Sequence, residues 1–386
     1  MAWKEVDVEH QRKLFIEKYL LNEHSITELC RQFDISRPIG YKWIHRYMES
    51  GFDGLCSLSC APKKQAFETP EDIVFQIIAL RSKYSRWGPK KLLAVLKREY
   101  PEIEWPSTTI GKILLRNGLV TPRKIRRRFA SKTSPLSDSL QSNDVWCTDF
   151  KGWHLTRDSH KCEPFTLTDN FSRYLFACVK LEKNNTDHVW GILERCFYDF
   201  GLPRILRSDN GSPFATSSPG RLSSLSIKLI KAGVMPEWIE PGNPQQNGRH
   251  ERMHLTLKQE GIFPELNLHK QELKLEEFIY YYNYIRPHEA IDQKTPSDVY
   301  KPSNRSWNGR LISPEYPSEY RIGKVKSCGK MSLKGGEVYI GRVFEGEPIG
   351  LRENTEGGFT AYYGPILLGN IQNNHLDVIR RKNRKR

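Results

Sequence analysis

The sequence predicts a multidomain α/β protein with helix-turn-helix units at its N-terminus, a layered α/β core and a small C-terminal β-barrel. Three observations carry this. Residues 1–120 show apolar spacing of helical period, punctuated by capping residues and prolines. Residues 144–302 alternate strand-like runs with helices, as a sheet covered by helices requires. Residues 318–376 switch to short alternating runs with paired glycines, such as Glu337-Val338-Tyr339-Ile340. A chain of 386 residues has room for several such units.

In the first unit, residues 1–60, Leu14, Phe15, Tyr19 and Leu20 recur at helical spacing. Ser25 and Glu28 form a capping box, each able to satisfy the other's free backbone donor. That helix ends near Phe33. Ser36 can cap the next, with Pro38 in its first turn, running to about Ser50. Two short helices around a tight turn are the helix-turn-helix plan, in which the second helix enters a DNA major groove. Its exposed candidates are Arg37, Tyr41, Lys42, His45 and Arg46, with Trp43, Ile44 and Tyr47 as the packing face. The second unit, residues 69–120, opens with Thr69 as cap and Pro70 at the first position. Trp87-Gly88-Pro89 breaks to a helix that stops before Pro101. Ser107 then caps a third helix ending at Gly118. Thr108, Thr109 and Lys112 are its DNA-facing candidates; the alternative is a scaffold that positions the core. A basic linker, 121–143, carries Arg123, Lys124, Arg126, Arg127 and Arg128. Such a run is either solvated or follows phosphates or a minor groove.

The core reads as strands near 145–150, 164–168 and 174–181. A helix follows over 186–200 with Val189, Ile192, Leu193 and Cys196 on one face, then a strand ending at Ser208, a helix over 222–232 and a strand at 237–239. An aromatic helix over 269–284 packs the core. The basic tail, 377–386, is expected to be disordered and to bind phosphate.

The net charge of +15 points to an acidic partner. It is concentrated where the helical units lie: residues 1–135 hold 25 Lys and Arg against 15 Asp and Glu. That asymmetry favours nucleic acid. The eight cysteines are scattered, mostly among apolar neighbours, as buried thiols in a reducing compartment are. No stretch is long and apolar enough to span a bilayer, and no signal-peptide core opens the chain. The expected location is cytoplasmic, with no membrane partner.

Three carboxylates sit where a metal site would be built. Asp149 lies inside a strand-like run, Asp209 ends a strand before the turn pair Asn210-Gly211, and Glu251 starts a helix after the breaker-rich stretch 241–248. Rivals for the first place are Asp144, a solvated acid before the strand, and Asp169, a turn former. An all-oxygen set suits Mg²⁺, which keeps waters and leaves room for phosphate oxygens. A pair of ions could clamp both oxygens of an in-line phosphodiester displacement. Lys258, seven residues after Glu251, shares its helical face together with His254 or Leu255.

Trp146 to Trp153, Arg207-Ser208-Asp209-Asn210-Gly211-Ser212-Pro213-Phe214, and the run Asn243 to Lys258 resemble the catalytic core of DDE insertion-sequence transposases, in the bacterial branch whose core is of the retroviral-integrase type. The carboxylate separations of 60 and 42 residues are compatible with that branch. The resemblance implies an RNase H-like core and cutting and joining of double-stranded DNA, both transposon ends and target. It implies Asp149, Asp209 and Glu251 as catalytic metal ligands for Mg²⁺ (Mn²⁺ possible) in a two-metal site. It implies DNA-end contact by Lys258, with Asn247 and His250 as further candidates. Homo-oligomers on DNA and a nucleoid-associated location are expected. Retroviral integrases bind zinc through paired His and Cys near the N-terminus. His24 and His45 do not match that spacing, and Cys56 and Cys60 alone do not make a zinc site.

Overall fold

The computed structural model describes residues 7–58, 69–120, 136–181, 183–261, 264–333, 335–355 and 357–378. Arg123, Lys124, Arg126, Arg127, Arg128, Cys60 and residues 379–386 lie outside them. The chain divides into two units, Met1–Pro70 and Glu71–Arg386.

The first unit is α1 (Val8–Leu20), α2 (Ile26–Gln32) and α3 (Arg37–Ser50), closed by a 3-10 turn at Gly51–Leu55. The capping box forms as expected: Glu28 N–H donates to Ser25 Oγ (3.3 Å) and Ser25 N–H to Glu28 Oε2 (3.0 Å). Ser36 occupies the N-cap of α3, but its side chain makes no capping bond. Phe15, Ile16, Leu29, Cys30, Ile44 and Leu55 form the core, with Trp43 and Tyr47 at its edge. Gly40 lets α3 approach α2, since a Cβ there would lie 2.5 Å from Cys30 Sγ.

The second unit opens with α4 (Glu71–Lys83), α5 (Pro89–Glu99) and α6 (Ser107–Arg116) around Ile77, Trp87, Leu92, Leu96, Ile110 and Leu114. Two boundaries differ from expectation by one residue. α4 starts beyond Pro70, and Pro106, not Ser107, occupies the N-cap of α6, because its extended backbone already turns the chain into the helix.

The sheet that follows is built from β1 (Val145–Phe150), β4 (Pro164–Asp169), β5 (Leu175–Lys180), β6 (Ile205–Ser208) and β7 (Met235–Trp238). Between β1 and β4 lies a two-stranded ribbon, β2 (His154–Leu155) with β3 (Lys161–Cys162). The sheet order is β5-β4-β1-β6-β7, with β1, β4 and β5 antiparallel and β1, β6 and β7 parallel. This is an RNase H-like sheet with β1 at its centre. Helix α7 (Thr186–Phe200) covers it through Val189, Leu193, Cys196 and Phe197, packed on Trp146 and Leu206. α8 (Ser224–Lys231) follows β6, and β7 lies two residues before the expected start of that strand.

α9 (Gly248–Thr256) follows a 3-10 turn and runs into a π turn at Leu257–Gly261. α10 (Leu268–Tyr280) covers the β5 side through Leu275 and Phe278. It too ends in a π turn, Tyr281–Ile285, rather than continuing as α-helix to residue 284. The wider turn places Tyr281 against the second helical unit: Trp87 Nε1 donates to Tyr281 Oη (2.9 Å), and Tyr84 stacks on Trp87 with centroids 3.9 Å apart.

The C-terminal strands are β8 (Arg321–Lys324), β9 (Lys330–Leu333), β10 (Gly336–Tyr339), β11 (Pro348–Glu353), β12 (Phe359–Tyr363), β13 (Ile366–Gln372) and β14 (His375–Val378). Five form an antiparallel sheet, β14-β13-β12-β11-β8, and β9–β10 is a separate ribbon. Val325, just past β8, bridges to Met331 on the ribbon, and Met331 and Val338 join Phe344, Ile349, Tyr363 and Leu368 in one core. The expected small barrel thus consists of a five-stranded antiparallel sheet and a two-stranded ribbon sharing one core.

Candidate active site

The β1–β6 register explains the spacing of the first two carboxylates. Val145 pairs with Ile205 and Cys147 with Arg207, an offset of 60 residues. The same offset carried two residues further sets Asp149 beside Asp209, where parallel neighbours lie roughly 4.8 Å apart. Both leave the sheet at the carboxyl ends of parallel strands, the usual place for a ligand site in such sheets. Asp149 Oδ1 accepts the Phe150 N–H (2.8 Å), and Asp209 Oδ1 accepts the Gly211 N–H (3.0 Å). A side chain at 211 would crowd the carboxylate, since its Cβ would stand 3.1 Å from Asp209 Oδ2.

Glu251 arrives on α9, whose rotation is set by two histidines. Thr166 pairs with Asp149 across β1–β4, and its hydroxyl donates to the Asp149 carbonyl (2.9 Å). Its oxygen then accepts from His250 Nε2 (2.8 Å) and His254 Nε2 (2.7 Å). His250 Nδ1 is left to accept from the Thr168 hydroxyl (2.7 Å). This assignment saturates the Thr166 hydroxyl and leaves both imidazoles neutral. Burial agrees: it lowers His254 to about 4, with the charge of Lys151 adding to it, and holds His250 well below its ordinary value. With His250 and His254 turned to the sheet, Glu251, Leu255 and Lys258 are left on the open face.

Asp149 is pushed up to about 7, first by burial and then by the charge of Asp209, with Glu251 adding to it. Glu251 is raised by burial alone. His254 Nδ1 lies 3.9 Å from Asp149 Oδ2, but a neutral ring offers no counter-charge. Asp149 thus lies near enough to feel the like charge of both Asp209 and Glu251. Among the described residues no three His, Cys, Asp or Glu side chains form a group that could hold a metal ion.

Two expected DNA contacts are corrected by their burial. His250 is 1% exposed and has both ring nitrogens engaged, because it anchors α9. Asn247 is 5% exposed and sits under the start of that helix, its Oδ1 without a partner in the structure. Arg46 is half-buried, donating to the Cys56 carbonyl (3.1 Å) and lying over the Trp43 ring, so it serves the packing of the first unit. Arg37, Tyr41, Lys42 and His45 are exposed on α3. Thr108 and Lys112 are exposed on α6, with Thr109 half-buried beside them. The rivals for the first carboxylate serve structure: Asp169 accepts from Asn143 N–H (2.9 Å) and from Ser172 N–H (2.7 Å), and Asp144 from Leu140 and Gln141 N–H.

The sequence reading missed two residues. Lys151 stands close enough to feel both Asp149 and Lys258, and its own pKa is lowered, first by burial and then by Lys258. Its signal was strand alternation, since residue i+2 shares a face with Asp149. Arg207 is buried and pairs with Glu237 (2.7 Å), while its other nitrogens reach the carbonyls of Ser137 (2.6 Å) and Gln246 (3.4 Å). It thus ties the chain entering the core and the turn before α9 to the strand carrying Asp209. No sequence signal marks it, because all its partners are distant in the chain.

Two models described as "Integrase core domain" match residues 139–244 and 232–296. Two described as "Homeodomain-like domain" match 9–56 and 39–114, and "IS481 family transposase, C-terminal domain" matches 321–372. The 39.2 kDa protein of insertion element IS476 from Xanthomonas euvesicatoria is 23% identical over 225 residues, covering 58% of this chain and 62% of that protein. The Gag-Pro-Pol polyprotein of Mason-Pfizer monkey virus is 37% identical over 91 residues, 23% of this chain and 5% of the polyprotein. The chain thus spans about three-fifths of the first and a small part of the second. Among solved structures, the HTLV-2 integrase catalytic core with magnesium covers 42% of this chain and 100% of its own at 13% identity and TM-score 0.32. The simian T-cell lymphotropic virus intasome with PP2A regulatory subunit B56 gamma covers 77% and 99% at 14% identity and TM-score 0.36.

The matched domains, with the sheet order and the carboxylates at its strand ends, define an integrase-core protein preceded by homeodomain-like units. Within that class the C-terminal match and the insertion-element relative make the chain similar to insertion-sequence transposases of integrase type.

Proposed function

We propose that this chain binds the inverted-repeat ends of its insertion element, hydrolyses strands there to release 3′-hydroxyls, and joins those hydroxyls to target DNA. The observation that supports the reading is the charge of Asp209 and Glu251 acting on Asp149, which helps to raise it. The donors are all carboxylate oxygens, which fits Mg²⁺, with Mn²⁺ as a substitute, in a site of two ions. Such ions keep water and complete their shells with phosphate, so a closed protein cage is not required beforehand. When bound, they supply Lewis-acid activation of the attacking oxygen and stabilise the leaving one. Asp149 and Asp209 would hold them from rigid strand ends, and Glu251 from a helix whose rotation the two histidines set. Lys258 and Lys151 flank the carboxylates and would hold the scissile phosphate in line.

The exposed faces of α3 and α6 would read and track the ends, using Arg37, Tyr41, Lys42 and His45, and Thr108, Thr109 and Lys112. The linker arginines would add phosphate contacts. Synapsis of two ends calls for a multimer on DNA, working in the cytoplasm at the nucleoid. A strand-transfer assay on duplexes carrying the element's ends tests the whole reading. Wild-type protein should give joined products with Mg²⁺, while Asp209→Asn and Glu251→Gln should give none yet still bind the ends. Cleavage of any duplex without joining would replace the transposase reading with a nuclease.

A further inference from the structure

Beside α9 lies a seam where α5 of the second helical unit meets the core. Trp87 and Tyr281 join the two sides by their 2.9 Å hydrogen bond. The next residue, Tyr282, lines a small pocket with Arg173, Arg249 and Met253. Both of those guanidinium groups donate to one carbonyl, that of Asn170, and so stand side by side. Lys90, Lys91, Arg252 and Arg286 extend the positive charge along the seam.

The carboxylates of this region are already committed. Asp169 is held by the backbone of Asn143 and Ser172. Glu260 is gripped by Arg286 Nε (2.9 Å) and Nη2 (3.1 Å) and accepts from Tyr281 Oη (2.6 Å). Glu289 pairs with Lys90 (2.8 Å). Among the described residues this leaves the charged heads of Lys91 and Arg252 with no ion-pair partner. Lys91 is half-buried as well, and its pKa falls to about 8, first through burial and then through repulsion from Arg286. Arg173 is lowered likewise, by burial and by Arg249. α5 and α9 both start without a side-chain cap, and their first turns carry Lys90 and Lys91 and Arg249. Cations in the first turn of a helix oppose its dipole, most plainly at α5, whose first turn has no acidic residue, and an anion bound beside them offsets this.

We propose that the seam is a phosphate-binding track, in which Lys91 and Arg252, backed by Arg173 and Arg249, hold the backbone of a DNA strand running between the second helical unit and the catalytic helix. It rests on the DNA-processing reading above and adds a contact surface distinct from Lys258, which lies in the π turn after α9. Arg252 projects one residue beyond Glu251, about 100° around the helix from the Glu251 face. A strand bound there would pin α5 against α9 and so couple end binding to the position of Glu251.

The test uses the full-length protein and an end duplex, with affinity measured across a salt series. Each phosphate contact contributes about 0.9 to the slope of log affinity against log salt. The Lys91→Met/Arg252→Gln double variant should therefore lose about two units of slope and at least tenfold in affinity at moderate salt. Lys91→Arg should keep both. Lys228→Gln/Lys326→Gln removes the same charge elsewhere and should also keep both. An unfolded double variant is recognised by its melting curve, and Arg252→Gln alone, at an exposed position, then carries the test with a loss of about one unit. Wild-type protein that fails to bind DNA would sink the DNA-processing reading itself, and the track with it. Wild-type binding with an unchanged slope in the variants would overturn the track alone. A melting rise with inorganic phosphate equal to that with duplex would reduce the seam to a small-anion site and overturn the strand path.

Discussion

Replacing Asp149 by Asn should stabilise the metal-free protein at neutral pH while destroying its chemistry. Asn keeps an acceptor for the Phe150 N–H and removes the charge that Asp209 and Glu251 repel. A carboxyl whose folded pKa is raised holds its proton more tightly in the folded chain than in the unfolded one. Its favourable contribution is therefore complete below the ordinary carboxylate range and is lost as pH rises toward 7. The shift from 3.8 to about 7 corresponds, at ~1.4 kcal/mol per unit, to a ceiling of roughly 4 kcal/mol. The side chain is 28% exposed, so solvent screening reduces this, and roughly 2 kcal/mol is the expected gain. For a cooperative unit of this size that is a rise of roughly 4–8 °C in melting temperature. Melts of wild type and variant in chelator at pH 8 should show the gap, and the gap should close near pH 4. Added Mg²⁺ should then raise the wild type and leave the variant unmoved. Equal melting of the two proteins at pH 8 in chelator, or a less stable variant, would show that the carboxylates do not strain the fold.

Thr166→Val keeps the shape but leaves the Nε2–H groups of His250 and His254 buried without an acceptor. It should cost about 2–4 kcal/mol in urea denaturation and lower cleavage by letting α9 rotate; wild-type stability would show that the histidines find other partners. Lys258→Glu should preserve end binding but reduce joining by orders of magnitude, with no rescue by added Mg²⁺, because placement of the phosphate is what is lost. Joining at the wild-type rate would make Lys258 an ordinary surface lysine. Residues 1–135 expressed alone should bind an end duplex more tightly than a random one, with a steep salt dependence; equal affinity for both would place sequence choice elsewhere.

Local rules made much of this protein legible. Ser25 and Glu28 sit three residues apart and cap each other wherever the rest of the chain goes. The periodicity of residues 186–200 defines α7 because apolar side chains at that spacing share one face. The carboxylates Asp149, Asp209 and Glu251 were legible because each lies beside its own turn or helix signal, and the motif around Glu251 is long. The π turn at Tyr281 and the burial of His250 were not. Both depend on what a distant segment offers: Trp87 for the first, Thr166 and Thr168 for the second.

The sequence by itself determined the element types, the chemistry of the candidate site and the spacing of 60 between its aspartates. Only the tertiary structure turned that spacing into proximity, because the β1–β6 register has the same offset and a one-residue slip would send one carboxylate to the other face. It also decided which residues of α9 meet solvent. Helical geometry allows any rotation of that helix, and the hydrogen bonds from His250 and His254 to Thr166 select the one that leaves Glu251 and Lys258 open. The charge on Asp149 is likewise a tertiary property. A carboxyl titrates by its surroundings, and those are set by strands and a helix brought together from across the core.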